Sequence, residues 1–187
     1  MRFFTDLTIL ATETFIADTE QSVDSFARWR GDWDELQREK DGITLDAAGL
    51  PALTRAFVKL MPDLSRAKSN EAWLKATEDP HLSTAAAFGV LVAQDHRSDA
   101  QRLQVGRLWQ RMHLSATVDG LAMQPLNQTV ERRDRELSME LAPDIGDALD
   151  ALMPGPDRQA VMPFRIGCLE ETALKSPRRR AEDVVLA

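Results

Sequence analysis

Two apolar runs limit what this chain can fold into. Ala85 to Gln94 and Gln159 to Cys168 carry its clearest strand character. The first is apolar on both faces, the pattern of a central strand covered on both sides. In the second, Val161, Pro163, Arg165 and Gly167 alternate against Ala160, Met162, Phe164 and Ile166. Pro163 lacks a ladder donor and predicts an edge position or a bulge. Leu121 to Leu126 is a third, shorter extended segment. A sheet this small must be buried under helices, so the expected class is α+β.

Helical signals fill the remainder. Leu7, Leu10, Ala11, Thr14 and Phe15 recur at helical spacing. A second helix is expected from Thr19, as cap, to Trp29, and Trp33 to Lys40 reads as a short helical piece. Asp41-Gly42 is a turn signal. Pro51 to Leu60 predicts a short helix, Asp63 to Ser69 a loop, and Asn70 to Thr77 another helix closed by Asp79-Pro80. Ser98 and Gln101 fit a capping box that opens a long helix. Its apolar stripe is Leu103, Gly106, Leu108, Trp109, Met112, Ser115 and Ala116, continued by Ala122. Gly106 inside the stripe predicts close approach by another backbone, because glycine otherwise costs about 1 kcal/mol in a helix interior. Glu131 to Leu141 and Pro143 to Met153 read as two more helices, followed by a Pro154-Gly155-Pro156-Asp157 turn. Glu182 to Ala187 would add a last short strand or helical turn.

Composition bounds the function. The 187 residues carry a net charge of −7, which argues against general nucleic-acid binding, since that needs a basic surface. Lys175, Arg178, Arg179 and Arg180 hold four positive charges, which leaves about −11 on the rest of the chain. Converging guanidinium groups of this kind suit one small anion such as a phosphate; the plainer reading is a solvated basic tail. No apolar run reaches the roughly 18 residues needed to span a bilayer, and the first residues lack a signal-peptide pattern, so a cytoplasmic location and no membrane partner are expected. Cys168, the single cysteine, reads as a small core residue. His81, His96 and His113 show no metal-ligand spacing, so no metal site is expected. Neither a Gly-x-Ser-x-Gly elbow nor a Gly-rich phosphate loop is present, and no side chain is assigned a catalytic acid, base or nucleophile role. Arg165 is expected to point out of the sheet or to pair with a carboxylate.

Three segments carry a resemblance. They are Ala116 to Gln128 (ATVDGLAMQPLNQ), Phe164 to Gly167 (FRIG) and Ser176 to Val185 (SPRRRAEDVV). Their order and separation resemble the C-terminal part of nitroreductase-like FMN oxidoreductases. Ala27-Arg28-Trp29-Arg30 followed by Asp41 to Pro51 is similar to a stretch in the second half of the fused, two-half subfamily. The resemblance implies a nitroreductase-like α+β fold, with helices packed around a small, mainly antiparallel sheet. It implies one (half) domain over 1–187, with a helical part at 1–80, sheet and long central helix at 81–170, and a basic tail at 171–187. It also implies an FMN-dependent oxidoreductase, or the C-terminal half of one, that passes electrons from NAD(P)H to a small-molecule acceptor. Gln124, Pro125, Leu126 and Asn127 would form the wall beside the flavin ring, and Arg178 and Arg179 would clamp its phosphate. The family's N-terminal Arg/Ser-rich motif and the fused subfamily's Ser/His/Asn motif have no counterpart here. A homodimer, or a missing N-terminal half, would supply that side of the pocket. The alternative is a flavin-free relative serving as a dimeric binding or storage module.

Overall fold

The computed structural model describes residues 2–30, 33–45, 52–60, 64–155, 157–168 and 177–185. Among them are eight α-helices and one three-stranded antiparallel sheet, an α+β architecture. Helices α1 (Arg2–Ala17), α2 (Thr19–Phe26), α3 (Trp33–Glu39), α4 (Ala52–Val58) and α5 (Arg66–Ala76) precede strand β1 (Ala87–Ala93). Helix α6 (Asp99–Val118), strand β2 (Leu121–Pro125), helices α7 (Gln128–Ser138) and α8 (Asp144–Asp150) and strand β3 (Gln159–Cys168) follow. The chain forms two compact units, one of 1–17 with 72–170 and the other of 18–71 with 171–187.

The first unit contains the sheet, in the order β1-β3-β2. β1 is therefore an edge strand and β3 is central, the reverse of what their patterns suggest. The double-sided apolar character of β1 comes from helices on both faces rather than from strands on both edges. On one face, the Phe4 ring of α1 lies 5.4 Å from Phe88; on the other, Trp109 of α6 lies 5.4 Å from Phe164. Gly89 lies under the Phe164 ring, where an added Cβ would come within 2.3 Å of its tip, so only glycine fits. Pro163 is tolerated in the central strand for a local reason. β2 pairs with β3 only as far as Phe164, and Leu126 N–H donates to the Pro163 carbonyl just beyond. The missing donor thus falls where the β2 ladder has ended. The expected bulge is present too: the β1 register shifts between Leu91 and Val92, leaving Val161 without a partner. Cys168, at the strand's end, is exposed rather than in the core.

Phe4, Leu7, Ala11 and Phe15 of α1 are buried, with Thr8 and Thr12 between them. Both threonine hydroxyls bond back to carbonyls one turn earlier, Phe4 and Thr8 respectively. That satisfies them inside the core. Leu7 and Ala11 pack with Val130, Ile145, Leu149 and Ala160, while Phe4 packs with Leu82 and Leu126. Glu136 of α7 is 3% exposed and accepts the first-turn N–H groups of Ile145 and Gly146 in α8. A carboxylate at a helix N-terminus meets both the free donors and the dipole. Arg133, also buried, donates to the Ala160 carbonyl and pairs with Asp134, which in turn accepts from Arg102.

The long helix differs from its expected form at its N-terminal cap and along its face. Ser98 occupies the cap position but makes no side-chain cap bond, because Gln101 instead accepts the N–H groups of Gln94 and Asp95. Of the helix residues, Val105 and Ala116 are buried, while Leu103, Leu114 and Val118 are 71%, 57% and 86% exposed. Nothing lies within 4 Å of the Gly106 Cβ position, so no described backbone approaches it. An open groove runs along this face past Asp99, Leu103, Gly106 and Gln110. His113 lies 5.7 Å from the Trp109 ring, a packing role.

In the second unit, Asp18 rather than Thr19 caps α2, through the N–H of Gln21. Helix α5 starts at Arg66, inside the expected loop, where Arg66 and Asn70 both donate to the buried Ser22 hydroxyl. Gly42 adopts φ +82°, and a Cβ there would meet the Arg28 carbonyl at 2.3 Å. This lets Ile43 pair with Trp29 in a single parallel bridge. The tail ends in a short 3₁₀ turn, Ala181–Asp183. Pro51, Pro156 and Lys175 lie outside the described residues.

Candidate functional site

The segment expected to face a flavin ring forms the corner between β2 and α7. Gln124 is half-buried, Pro125 exposed, and Leu126 fully buried against Phe4 and Leu82. Leu126 is therefore an anchor of the corner rather than part of an open wall. Asn127 is the residue from which α7 starts. The Oδ1 of Asn127, the Oε1 of Gln128 and the Oγ1 of Thr129 are all buried and have no hydrogen-bond partner. Thr129 is completely enclosed. A buried polar atom left unpaired costs about 1–3 kcal/mol, so three in a row is an unusual concentration. Gln128 and Thr129 are missed by sequence reading, since a polar pair opening a charged helix looks like an ordinary solvated turn.

Register places Gln124 opposite Arg165, so the two side chains share a sheet face. Arg165 Nε donates to Gln124 Oε1 at 2.7 Å. Its Nη1 donates to the His81 carbonyl at 2.8 Å and, more weakly, to the Pro80 carbonyl and the Thr84 hydroxyl. These acceptors come from the irregular turn Thr77–Leu82, interrupted by the extended residue Asp79, and from the residues just after it. Arg165 neither points freely outward nor pairs with a carboxylate. Every group that it contacts among the described residues is neutral. Burial lowers its pKa from the ordinary arginine value. Burial, and then the Arg165 charge, push His81 below the ordinary histidine value. His81 is thus neutral beside a cation.

The proposed phosphate clamp belongs to the second unit. Arg179 forms an ion pair with Asp41 and donates weakly to the Glu39 carbonyl. Asp41 also receives Arg30 Nη2 at 2.6 Å. The Arg30 hydrogen bond, aided by the Arg179 charge, holds the Asp41 carboxyl below its ordinary pKa. Arg180 pairs with Glu182, and Arg178 is exposed. Asp41 was read only as a turn residue, yet it joins the tail to the Arg30 turn.

Among the described residues, no group of three or more His, Cys, Asp or Glu is placed to hold a metal ion, and no helix is long and apolar enough to cross a membrane. Comparison with protein-family models, with curated proteins and with solved structures finds no match to this chain.

Proposed function

We propose that this chain is a nitroreductase-like protein forming one side of an FMN pocket, in an NAD(P)H-dependent oxidoreductase or as the C-terminal half of one. The observation that carries the proposal is the row of unpaired buried atoms at Asn127, Gln128 and Thr129, in and just after the segment that the resemblance assigns to the flavin ring. An isoalloxazine ring offers both a donor and acceptors along its polar edge, and the Asn127 carbonyl oxygen lacks only a donor. The bound flavin supplies the hydride chemistry, taking a hydride from NAD(P)H and passing electrons to a small-molecule acceptor. Asn127 would accept from the ring, Gln124 and Pro125 would line it, and Arg165 would place a positive charge beside it. Within the second unit, Arg179 is engaged by Asp41, so it would have to leave that partner before it could meet a phosphate.

A second copy of the chain would complete the pocket. The α6 face supports this in its own sequence. On α6, Leu103, Leu114 and Val118 are exposed and the Gly106 position is open. Exposed apolar helix faces of this kind call for a cover. Sedimentation at micromolar concentration should show a dimer.

Titrating purified protein with FMN tests the flavin proposal. Quenching of flavin fluorescence, weakened at least tenfold in Asn127→Ala, is the expected result. A colourless protein that leaves FMN fluorescence unchanged would overturn the proposal. One observation favours a flavin-free binding or storage module instead: Arg179 is engaged within its own unit. Stoichiometric FMN in the purified protein excludes that alternative.

A further inference from the structure

Arginine and glutamine fit together in only one way. Guanidinium nitrogens are all donors, so an amide bonded to one must present its oxygen. The Arg165 Nε to Gln124 Oε1 bond therefore fixes the Gln124 amide, and its NH₂ group faces elsewhere with two donors. In a guanidinium, Nε and Nη2 share the edge that takes a carboxylate or phosphate in two parallel hydrogen bonds. Gln124 fills the Nε place on that edge. Nη1 is taken by the carbonyls of His81 and Pro80. Nη2 donates to no group among the described residues. The Nη2 and Gln124 amide donors belong to side chains joined by the Nε–Oε1 bond, and both side chains are half-buried. No carboxylate among the described residues neutralises the charge.

We infer that the Arg165 Nη2 edge and the Gln124 amide, with His81 beside them, form a binding site for a single oxyanion group, a carboxylate or a phosphate carried by a small ligand. The site offers donors and positive charge, and the protein acceptors within reach are already occupied. Charge-assisted hydrogen bonds of this kind are about twice as strong as neutral ones. A half-buried cation without a counter-charge is disfavoured until an anion arrives. The His81 ring, held below the ordinary histidine pKa by burial and then by the Arg165 charge, adds no competing positive charge at neutral pH. The inference stands whether or not the chain binds flavin.

The experiment uses the full-length chain, with sodium acetate and sodium phosphate as probes and sodium chloride at matched ionic strength as reference. The Arg165 Nε–H resonance is followed by NMR, and the melting temperature in parallel. Acetate or phosphate should shift the resonance saturably and raise the melting temperature above the chloride value. Whichever saturates at lower concentration identifies the ligand group as carboxylate or phosphate. Arg165→Gln should abolish both effects. Arg165→Lys, which keeps the charge but not the fork, should weaken binding about tenfold and covers the case in which the glutamine variant does not fold. Arg178→Ala should leave the effects unchanged. A resonance that responds no more to either oxyanion than to chloride overturns the inference, as does equal stabilisation of wild type and Arg165→Lys. Failure of FMN to bind alongside a saturable acetate shift removes only the flavin proposal.

Discussion

Arg165 and Arg179 stand in opposite electrostatic circumstances. Arg179, from the basic run that looks most like a ligand clamp, is engaged by Asp41 within its own unit. Arg165, inside a strand and easily read as structural, meets only a side-chain amide, a hydroxyl and backbone carbonyls. A run of like charges in sequence says nothing about where its counter-charges lie. An isolated charge in an apolar strand is the more informative feature, because burying it demands partners. When those partners are neutral, part of the demand is left for a ligand.

The deepest charged group in the sheet unit should give the largest effect. Glu136→Ala removes the acceptor for two α8 N–H groups and the carboxylate that pairs with the buried Arg132. The expected loss is about 3–5 kcal/mol, as for breaking other buried pairs, read by urea denaturation. Arg165→Leu comes next. It strips a charged donor from Gln124 and the turn carbonyls at a half-buried site, and should cost about 1–3 kcal/mol. A loss near zero would mean that water replaces the guanidinium without penalty.

Acidification should sharpen the contrast further. The folded state holds His81 below its ordinary pKa, so the unfolded chain takes up the proton first. Stability is therefore complete above about pH 6.5, and falls as the pH drops below that value until the folded-state pKa is reached. His81→Gln should flatten this dependence. Arg165→Gln should only reduce it, since burial, the larger cause, remains. Melting curves from pH 7.5 to 5 check both. The smallest effect belongs to Arg179→Gln. Its ion pair with Asp41 is exposed and should be lost in the noise of a melting curve above about 0.5 M salt, where screening acts within a few ångströms. A clear destabilisation at high salt would break the comparison.

Much of the architecture was legible because strong periodic patterns leave few choices. The β3 run occupies the predicted residues, and the Leu121 to Leu126 segment is the predicted extended piece but for its last residue. Strand order was not legible. The apolar faces of β1 report helical cover, which is independent of whether another strand lies alongside. Pro163 sits in the central strand only because β2 ends beside it, a fact stored in a different segment. The capping box failed because Gln101 found two backbone donors outside its own helix. At the candidate site, the Gln124 segment was visible as a polar interruption of an apolar stretch. Its partner was not, because the pairing of Gln124 with Arg165 rests on a register that joins residues 41 positions apart.

The position of β1 has a consequence for handling the protein. Its outer edge is unpaired among the described residues, and its sequence, AFGVLVA, contains no charge and no proline. Such a segment is a template for adding another strand. On partial unfolding it is where intermolecular sheet growth should begin. A single lysine at the half-exposed Val92 is the substitution of choice to keep the chain soluble.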